Sequence, residues 1–314
     1  MTLFLGLVIL VLHAALMLAA APLLVGVLGL CRARLAGRAG APVLQPFHDL
    51  RRLGRKQPVL PESASRLLVA APIVALASLA VAALLVPSFA LGMASAPVAD
   101  LIVLAGLLTV SRGAIALAGL ESGVSLGGIA ASRGMSLAIL TEPALLLVIF
   151  AMATMSGATN LDTLAGMVRD SGSGLRVSLG LALAAAAIVA MVETGRFQGG
   201  SVLGMGQDTA RLAFSGWHLA VADYAAALRL TVWLSLLLVM FVPVGIAPAG
   251  GGVVAWLVGS VVWAVKMVAL TAGLALTEAG RPAMRWSRAP ELLGVALLLG
   301  LLAAVFLFIG QGAA

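Results

Sequence analysis

A small set of ionisable side chains falls inside or beside long apolar stretches of this sequence, and these residues could do chemistry there. Lys266 lies near the middle of one stretch, and Glu142 precedes the helix-distorting Pro143 in another. Near the ends of other stretches lie Glu193, Asp223, Arg229 and Glu278. An ionised group in lipid is costly and usually faces a bundle interior or a hydrated path. If these side chains converge, they form a charged file from the cytoplasmic surface into the membrane.

Each of these residues also has a purely structural interpretation. Lys266 could snorkel, or it could pair with one carboxylate only to pack two helices. The acidic residues near helix ends lie where charges normally meet water, and Glu142 is shallow enough to reach the surface. The residues alone leave both interpretations open.

Side chains that usually hold redox cofactors are scarce. The single cysteine, Cys31, excludes an intramolecular disulfide and cannot ligate an iron–sulfur cluster, which needs about four thiolates. The three histidines, His13, His48 and His218, are not paired within apolar stretches as a haem held between two helices would require. We therefore expect no cofactor, metal or catalytic centre in this chain.

The elements that must position these residues are membrane helices. Of 314 residues, 62% are hydrophobic and 10% are charged, against about 25% charged in an average soluble domain. Apolar runs of about 20 residues match the hydrocarbon core of a bilayer, and in lipid such runs must be helical. The sequence predicts an all-α, polytopic membrane helix bundle with about eight transmembrane helices, at 3–30, 66–86, 98–119, 136–157, 176–194, 226–247, 252–276 and 291–310.

Lys and Arg are distributed unevenly between the two sides of these spans. The gap between the first two spans, counted with Arg66 at its edge, holds eight of them, whereas the gap 87–99 holds none. Because short basic loops stay in the cytoplasm, both termini are predicted to be periplasmic. The net charge of +7 is thus explained by membrane topology, and we expect no nucleic-acid partner.

Two predicted cytoplasmic loops, near 31–65 and 195–225, are each about 30 residues long, where about 2–8 would join neighbouring helices. Loops of that length on one face are expected to dock something. The basic residues of the first loop could bind anionic lipid headgroups. Its four prolines favour a rigid loop that binds a protein partner, so both occupants stay open.

Several stretches, in the same order along the chain, resemble one known family. They are GRAGAPVLQPFHDL at 37–50 followed by Arg55 and Lys56, ASRGM at 131–135 leading to TEP at 141–143, SGWHLA at 215–220 with DYA at 223–225 and LRL at 228–230, and Glu278, Arg285 and Arg288 with PELLG at 290–294. Along nearly its whole length the sequence resembles the membrane subunit that formate hydrogenlyases and hydrogenase-4 type complexes share with NADH:quinone oxidoreductase (complex I), where it is called subunit 1.

The resemblance implies a single transmembrane domain over 1–314 in the bacterial inner membrane, which anchors a cytoplasmic arm and couples it to ion movement. The implied partners are hydrogenase large and small-type subunits, a ferredoxin-like subunit and antiporter-like membrane subunits that move protons or sodium ions, with membrane lipid around them. A nickel–iron centre and iron–sulfur clusters would lie in those partners.

The resemblance also implies roles for individual residues. The ion-coupling candidates are Glu142, Glu193, Arg196, Asp223, Arg229 and Glu278, and the intramembrane Lys266 is added to them from its position in the sequence. The partner-docking candidates are Arg38, Gln45, Pro46, Asp49, Arg55 and Lys56.

Two other functions stay open. A stand-alone secondary transporter would be favoured by paired broken helices in the two halves of the chain, which the sequence does not reveal. A purely structural anchor without coupling is favoured where residues 197–200, Gln57, Gly134 and Ala213 replace acidic residues of the family pattern.

Overall fold

The structure is a computed structural model that describes residues 2–61, 64–170, 177–195, 207–279 and 288–312. Within these ranges the chain forms eleven α-helices. They are α1 (Thr2–Leu35), α2 (Gln45–Gly54), α3 (Arg66–Leu85), α4 (Leu101–Glu121), α5 (Ser125–Ser156), α6 (Leu161–Asp170), α7 (Val177–Glu193), α8 (Gln207–Ala213), α9 (Gly216–Phe241), α10 (Val253–Ala279) and α11 (Ala289–Gly312).

The prediction of an all-α membrane bundle is confirmed. In the described ranges seven helices are long and apolar enough to cross a membrane, namely α1, α3, α4, α5, α9, α10 and α11. The 17-residue apolar helix α7 corresponds to the fifth predicted span, and it lies at the short end of the roughly 17–25 residues that a span needs.

Two predicted spans have wrong boundaries, at three ends in all. Helix α5 begins at Ser125 instead of 136, because Arg133 and its polar neighbours lower the hydropathy without breaking the helix. Helix α9 begins at Gly216 instead of 226 and ends at Phe241 instead of 247. The apolar sequence continues past Phe241, but Pro243 has no N–H to donate and Gly245 has a φ of +78°.

Helix α9 is the centre of the bundle. It packs against α1, α3 and α7, while α4, α5 and α11 complete the ring and α10 lies against α1. Its middle is buried all round, and Leu228, Thr231, Val232 and Trp233 are at most 1% exposed. Polar groups on α9 are therefore held in the interior, where they need partners from the surrounding helices.

One end of the bundle carries two irregular segments, 86–100 and 242–252, that pair with each other. The N–H of Leu91 donates to Ala247 O (3.0 Å), and the N–H of Ala247 donates to Phe89 O (2.8 Å). These bonds satisfy backbone groups that have no helical partner. The other end carries α2 and the start of α9, and we call it the basic end.

Candidate functional site

Arg112, in α4, lies at the centre of a group of charged side chains. Its guanidinium donates to Glu142 of α5 at 2.6 Å, to the hydroxyl of Thr141 at 3.1 Å, and to Glu193 at the end of α7. The side chain of Arg112 is 14% exposed and that of Glu193 is 6% exposed. Charged hydrogen bonds of this kind are strong because both partners are held away from water.

Arg229 of α9 completes the group. It donates to the hydroxyl of Ser111, the residue before Arg112, at 2.8 Å. The four residues Arg112, Glu142, Glu193 and Arg229, which we call the charge cluster, hold two positive and two negative groups. Their charges cancel, which is the condition under which ionised side chains are tolerated in a membrane interior.

A cavity of about 70 Å³ lies beside the charge cluster. Among its walls are Arg112, Glu193 and Arg229, together with Asp223, six residues closer to the start of α9. Asp223 lies 3.9 Å from Arg211 of α8, with its side chain 28% exposed. Three predicted coupling residues thus share one cavity, in the part of α9 that leads toward the basic end.

Glu142 extends from the charge cluster to the lateral surface of the bundle. Its side chain is 46% exposed, and it lies near the middle of α5 between Ile139 and Leu146, which are 72% and 51% exposed. These residues, spaced three and four apart, share one helical face. A carboxylate on an otherwise apolar outer face of a membrane helix is costly without a polar partner, and here Arg112 is one such partner.

Two other predicted residues lie apart from the charge cluster. Glu278, at the end of α10, forms an ion pair with Arg32 at the end of α1. Lys266, in the middle of α10, donates to the carbonyl oxygens of Val242 (2.8 Å) and Val244, just beyond the end of α9. Lys266 therefore does not join the charged file that the sequence suggested. Arg196 lies outside the described residues.

The docking candidates lie on the basic end, where the first loop meets the start of α9. The N–H of Trp217 donates to Lys56 O (3.2 Å), and the N–H of Val59 donates to Ser215 Oγ (2.7 Å). Gly216 has a φ of +56°, and a Cβ there would overlap the carbonyl of Gln57. The two long loops predicted from the sequence thus contact each other in their described parts.

Helix α2 is amphipathic, and no residue in it is buried. Arg38, Arg55 and Lys56 are exposed, and Gln45, Pro46 and Asp49 are half-buried. Apolar side chains lie among them, with Leu44 54% and Val59 81% exposed. Exposed apolar residues mixed with bases are typical of a surface that a protein or a lipid headgroup region covers.

The comparison with known families decides the classification. The family model described as "NADH dehydrogenase" matches residues 7–309. The chain belongs to the NADH dehydrogenase family. This confirms the resemblance found in the sequence, and with the apolar helices it identifies a multi-pass inner-membrane protein.

Two named relatives belong to hydrogenase and formate hydrogenlyase complexes. The chain is 31% identical to hydrogenase-4 component C of Escherichia coli (strain K12) over 235 residues, covering 74% of each protein. It is 30% identical to formate hydrogenlyase subunit 4 of the same organism over 285 residues, which is 89% of this chain and 92% of that one.

A solved structure shares the fold. A chain of the membrane-bound sulfane sulfur reductase, an archaeal respiratory membrane complex, superposes with a TM-score of 0.78 at 20% identity, covering 95% of this chain and 99% of that one. At that identity the likeness shows the fold alone.

In this member of the NADH dehydrogenase family, sequence reasoning missed Arg112 as a site residue. The signal was present, because Arg112 lies within the predicted span 98–119 beside Thr109 and Ser111. Arg112 is not among the ion-coupling candidates that the resemblance implies. Among the described residues no group of three or more His, Cys, Asp or Glu side chains could hold a metal ion.

Proposed function

We propose that this chain is the membrane-anchoring and ion-coupling subunit of a membrane-bound hydrogenase or formate hydrogenlyase type complex. The observation that carries the proposal is the neutral charge cluster, which extends from a cavity beside α9 to a half-exposed carboxylate on the side of the bundle. The names of the two relatives, a hydrogenase-4 component and a formate hydrogenlyase subunit, supply the kind of complex.

The basic end is the proposed docking surface for a cytoplasmic hydrogenase-type arm. The contact between the first loop and the start of α9 gives this surface a fixed shape, and its exposed bases and apolar side chains offer both charge and contact area. In this proposal large and small-type hydrogenase subunits and a ferredoxin-like subunit bind here, and the redox centres lie in them.

The face of α5 around Glu142 is the proposed contact with antiporter-like membrane subunits. A neighbouring membrane helix with a polar or titratable group would satisfy the outer side of the Glu142 carboxylate, which lipid tails cannot do. A change in charge or conformation at the basic end, caused by the bound arm, would be transmitted to this face through Asp223, the cavity and the charge cluster. The ion that moves is then a proton on the carboxylates or a sodium ion beside them.

A structural anchor without coupling is the second candidate, and one observation favours it. Arg112 donates to both carboxylates of the cluster, so the four charges already neutralise one another. Such a cluster could serve only to join α4, α5, α7 and α9.

Replacing Glu142 by Gln in the whole complex separates these functions. The coupling proposal expects normal assembly and normal hydrogenase activity with a redox dye, together with loss of ion transport into inverted membrane vesicles. Glu121→Gln is the matched control, because that carboxylate ends α4 outside the charge cluster, and it should leave transport unchanged.

Unchanged transport in an assembled Glu142→Gln complex would contradict coupling and support the anchor. Isolation of the tagged chain without hydrogenase-type or antiporter-like subunits in gentle detergent would contradict both and favour a stand-alone transporter.

A further inference from the structure

An apolar groove lies between α7 and α10, with α9 as its floor. Its volume is about 160 Å³, and it is lined by side chains from residues 187–194, 230–237 and 270–277. Thr194 and Thr277 are the hydroxyl-bearing residues of this lining, and both hydroxyls donate to carbonyl oxygens of their own helices. Apolar cavities of about 150 Å³ exclude water and bind apolar guests. The groove therefore suits a hydrocarbon occupant.

The groove opens on its outer side, toward the lipid around the bundle. Within the described residues α7 and α10 each pack against α9 but not against each other. On the wall Leu270 is half-buried, whereas Leu234 and Leu237 on the floor are buried. The outer faces of α10 and α11 on either side are apolar, with Leu276 and Leu298 exposed. A lipid tail can thus enter the gap from the membrane.

The direction of the groove is that of an acyl chain in a bilayer. Its lining begins at Thr194 and Thr277, at the ends of α7 and α10 that lie toward the basic end. From there it follows each of the three helices for two turns, which is about 10 Å. One leaflet of hydrocarbon is about 15 Å deep. The groove therefore extends from headgroup depth about two thirds of the way to the middle of the membrane.

The size of the groove excludes a helix of a partner subunit. Two turns of a helix with its side chains form a cylinder about 10 Å wide and about 11 Å long, which is roughly 850 Å³. The groove, at about 160 Å³, has a fraction of that volume. A single extended hydrocarbon chain is thin enough to enter.

Arg32 offers hydrogen-bond donors near the open end of the groove. It pairs through Nε with Glu278, the residue after Thr277, and its side chain is 41% exposed. Its two Nη groups make no hydrogen bond to a described residue. Phosphate oxygens accept charged hydrogen bonds from guanidinium groups. The end of the groove thus offers a contact for a phosphate that a free hydrocarbon would not use.

We propose that this groove binds one acyl chain of a membrane phospholipid, with the headgroup phosphate at Arg32. The chain makes the dispersion contacts that an empty groove would lose. It also supports α10 on the side that faces α7, where the protein provides no contact. This inference is independent of the proposed function, because an anchor and a coupling subunit both need α10 in place.

A photoreactive phospholipid tests the site in the assembled complex. Phosphatidylglycerol with a diazirine in the middle of one chain is incorporated into vesicles with the complex, and labelled residues are identified by mass spectrometry after illumination. The proposal expects label at Leu234 or Leu237, which are 5% and 8% exposed and which lipid reaches only through the groove. Label on the outer face of α10 with none on α9 would overturn it.

Gly273→Leu fills the groove without displacing protein. The position lines the groove, and added side-chain atoms there meet open space. The label on α9 should be lost, while the label at the exposed Val265 of α10 should be unchanged. Gly106→Leu is the matched control, because that glycine lies in α4, outside the groove, also with open space around it. Equal α9 label in Gly273→Leu and the original chain would contradict the proposal.

Competition identifies the source of the chain. Unlabelled phosphatidylglycerol should remove the label on α9. Diacylglycerol, which has the same chains and no phosphate, should leave most of it. Equal competition by the two lipids would overturn the assignment to a phospholipid.

Imaging of the complex in lipid nanodiscs gives a second measurement. We expect a tube of density along residues 230–237, between α7 and α10. A side chain of a partner subunit, or of this chain, in that place would show that the groove is a protein contact and would overturn the lipid site.

Melting curves of the full chain in detergent test the support of α10. Removal of phospholipid should lower the melting temperature, and added phosphatidylglycerol should restore it. Both effects should be smaller in Gly273→Leu, where a leucine occupies the groove, and unchanged in Gly106→Leu. The same lipid dependence in all three chains would contradict a supporting role for this lipid.

Discussion

Arg112 is the residue on which the charge cluster depends, because it donates to both carboxylates. Replacing it by Met would leave Glu142 and Glu193 without their shared donor in a low-dielectric environment. Breaking a buried ion pair on one side typically costs about 3–5 kcal/mol. We expect Arg112→Met to lower the thermal stability of the purified chain strongly, as measured by a melting curve in detergent.

A double variant checks the cause of that loss. Arg112→Met combined with Glu193→Gln removes charges of both signs, so it should recover part of the stability that Arg112→Met loses. A double variant that is no more stable than the single one would show that the guanidinium acts by packing and not by charge.

Lys266 is the residue for which position in the sequence and contacts in the structure suggest different roles. Its ammonium donates to two carbonyl oxygens beyond the last turn of α9, groups that have no helical partner. Lys266→Met should therefore cost about 1–3 kcal/mol of stability through unsatisfied carbonyls, and should leave ion transport per turnover unchanged in complexes that assemble.

Measuring assembly and transport on the same preparation decides between the two roles of Lys266. A stable Lys266→Met complex that assembles fully and has lost transport would restore the coupling role predicted from the sequence.

At the residue scale, the sequence indicated which side chains are unusual but not which of them meet. It singled out Glu142, Glu193 and Arg229. In the structure Arg112 donates to the two carboxylates, and Arg229 donates to Ser111, the residue before Arg112. The sequence also singled out Lys266. A lysine in the middle of an apolar run gives the same sequence pattern whether it pairs with a carboxylate or with the free carbonyl groups at the end of another helix. Only the early end of α9 at Phe241 distinguishes the two.

At the element scale, hydropathy located the helices well and their ends poorly. The apolar segment 242–247 was assigned to a span, although Pro243 and Gly245 end the helix before it. Conversely, the polar first turns of α5 and α9 are helical outside the apolar runs. Hydropathy measures where lipid is tolerated, whereas helix ends depend on caps, prolines and glycines.

The pairing of the two irregular segments predicts that position 259 must be glycine. Its position in α10 faces the carbonyl of Phe89, and a Cβ would overlap that oxygen. Gly259→Ala should force the segments apart and lower stability by about 1–3 kcal/mol. Gly273, in the same helix, has open space around it, so Gly273→Ala should be neutral or stabilising by up to about 1 kcal/mol. Equal melting temperatures for the two variants would contradict this.

The attachment of segment 86–100 to α6 should depend on pH. Asp162 accepts a hydrogen bond from the N–H of Gly92 (2.6 Å), and burial raises the pKa of its carboxyl, an effect that this hydrogen bond partly offsets. The folded chain thus holds this proton more tightly than the unfolded chain. Its contribution to stability is greatest below the unfolded pKa and is lost as pH rises through the folded pKa.

Asp162→Asn tests that dependence, because its amide oxygen can still accept from Gly92 and has no proton to lose. The stability of the variant relative to the original chain should increase as pH rises through that window, and the difference should disappear in acid. A difference that grows toward acid pH would contradict the direction of the pKa shift. The measurement is a set of melting curves in detergent across pH.

At the scale of the whole molecule, composition alone was enough to predict the fold class. With so little charge, and with apolar runs of about 20 residues that are far longer than barrel strands, helical membrane spans are the arrangement that satisfies the backbone in lipid. The order in which the helices pack around α9 could not be predicted from the sequence, because helix faces that contact lipid and helix faces that contact protein have similar compositions. The contact between the first loop and the start of α9 depends on that order, so no pattern in either loop indicated it directly.

The orientation of the molecule in the membrane stays a prediction and can be measured by cysteine labelling. After Cys31→Ser, we expect Arg55→Cys to react with a membrane-impermeant maleimide only in inverted vesicles. Gly252→Cys, at the opposite end of the bundle where added side-chain atoms meet open space, should react only from the periplasmic side. The reverse pattern would place both termini in the cytoplasm.

The same two cysteines test the docking surface. If the basic end binds a hydrogenase-type arm, position 55 should be protected in the assembled complex and reactive when the arm is stripped away by salt, because the exposed bases make that contact sensitive to ionic strength. Position 252 should react equally in both states, since it lies far from the arm. Equal reactivity of position 55 with and without the arm would place docking elsewhere, and the bases of α2 would then be left to contact lipid headgroups.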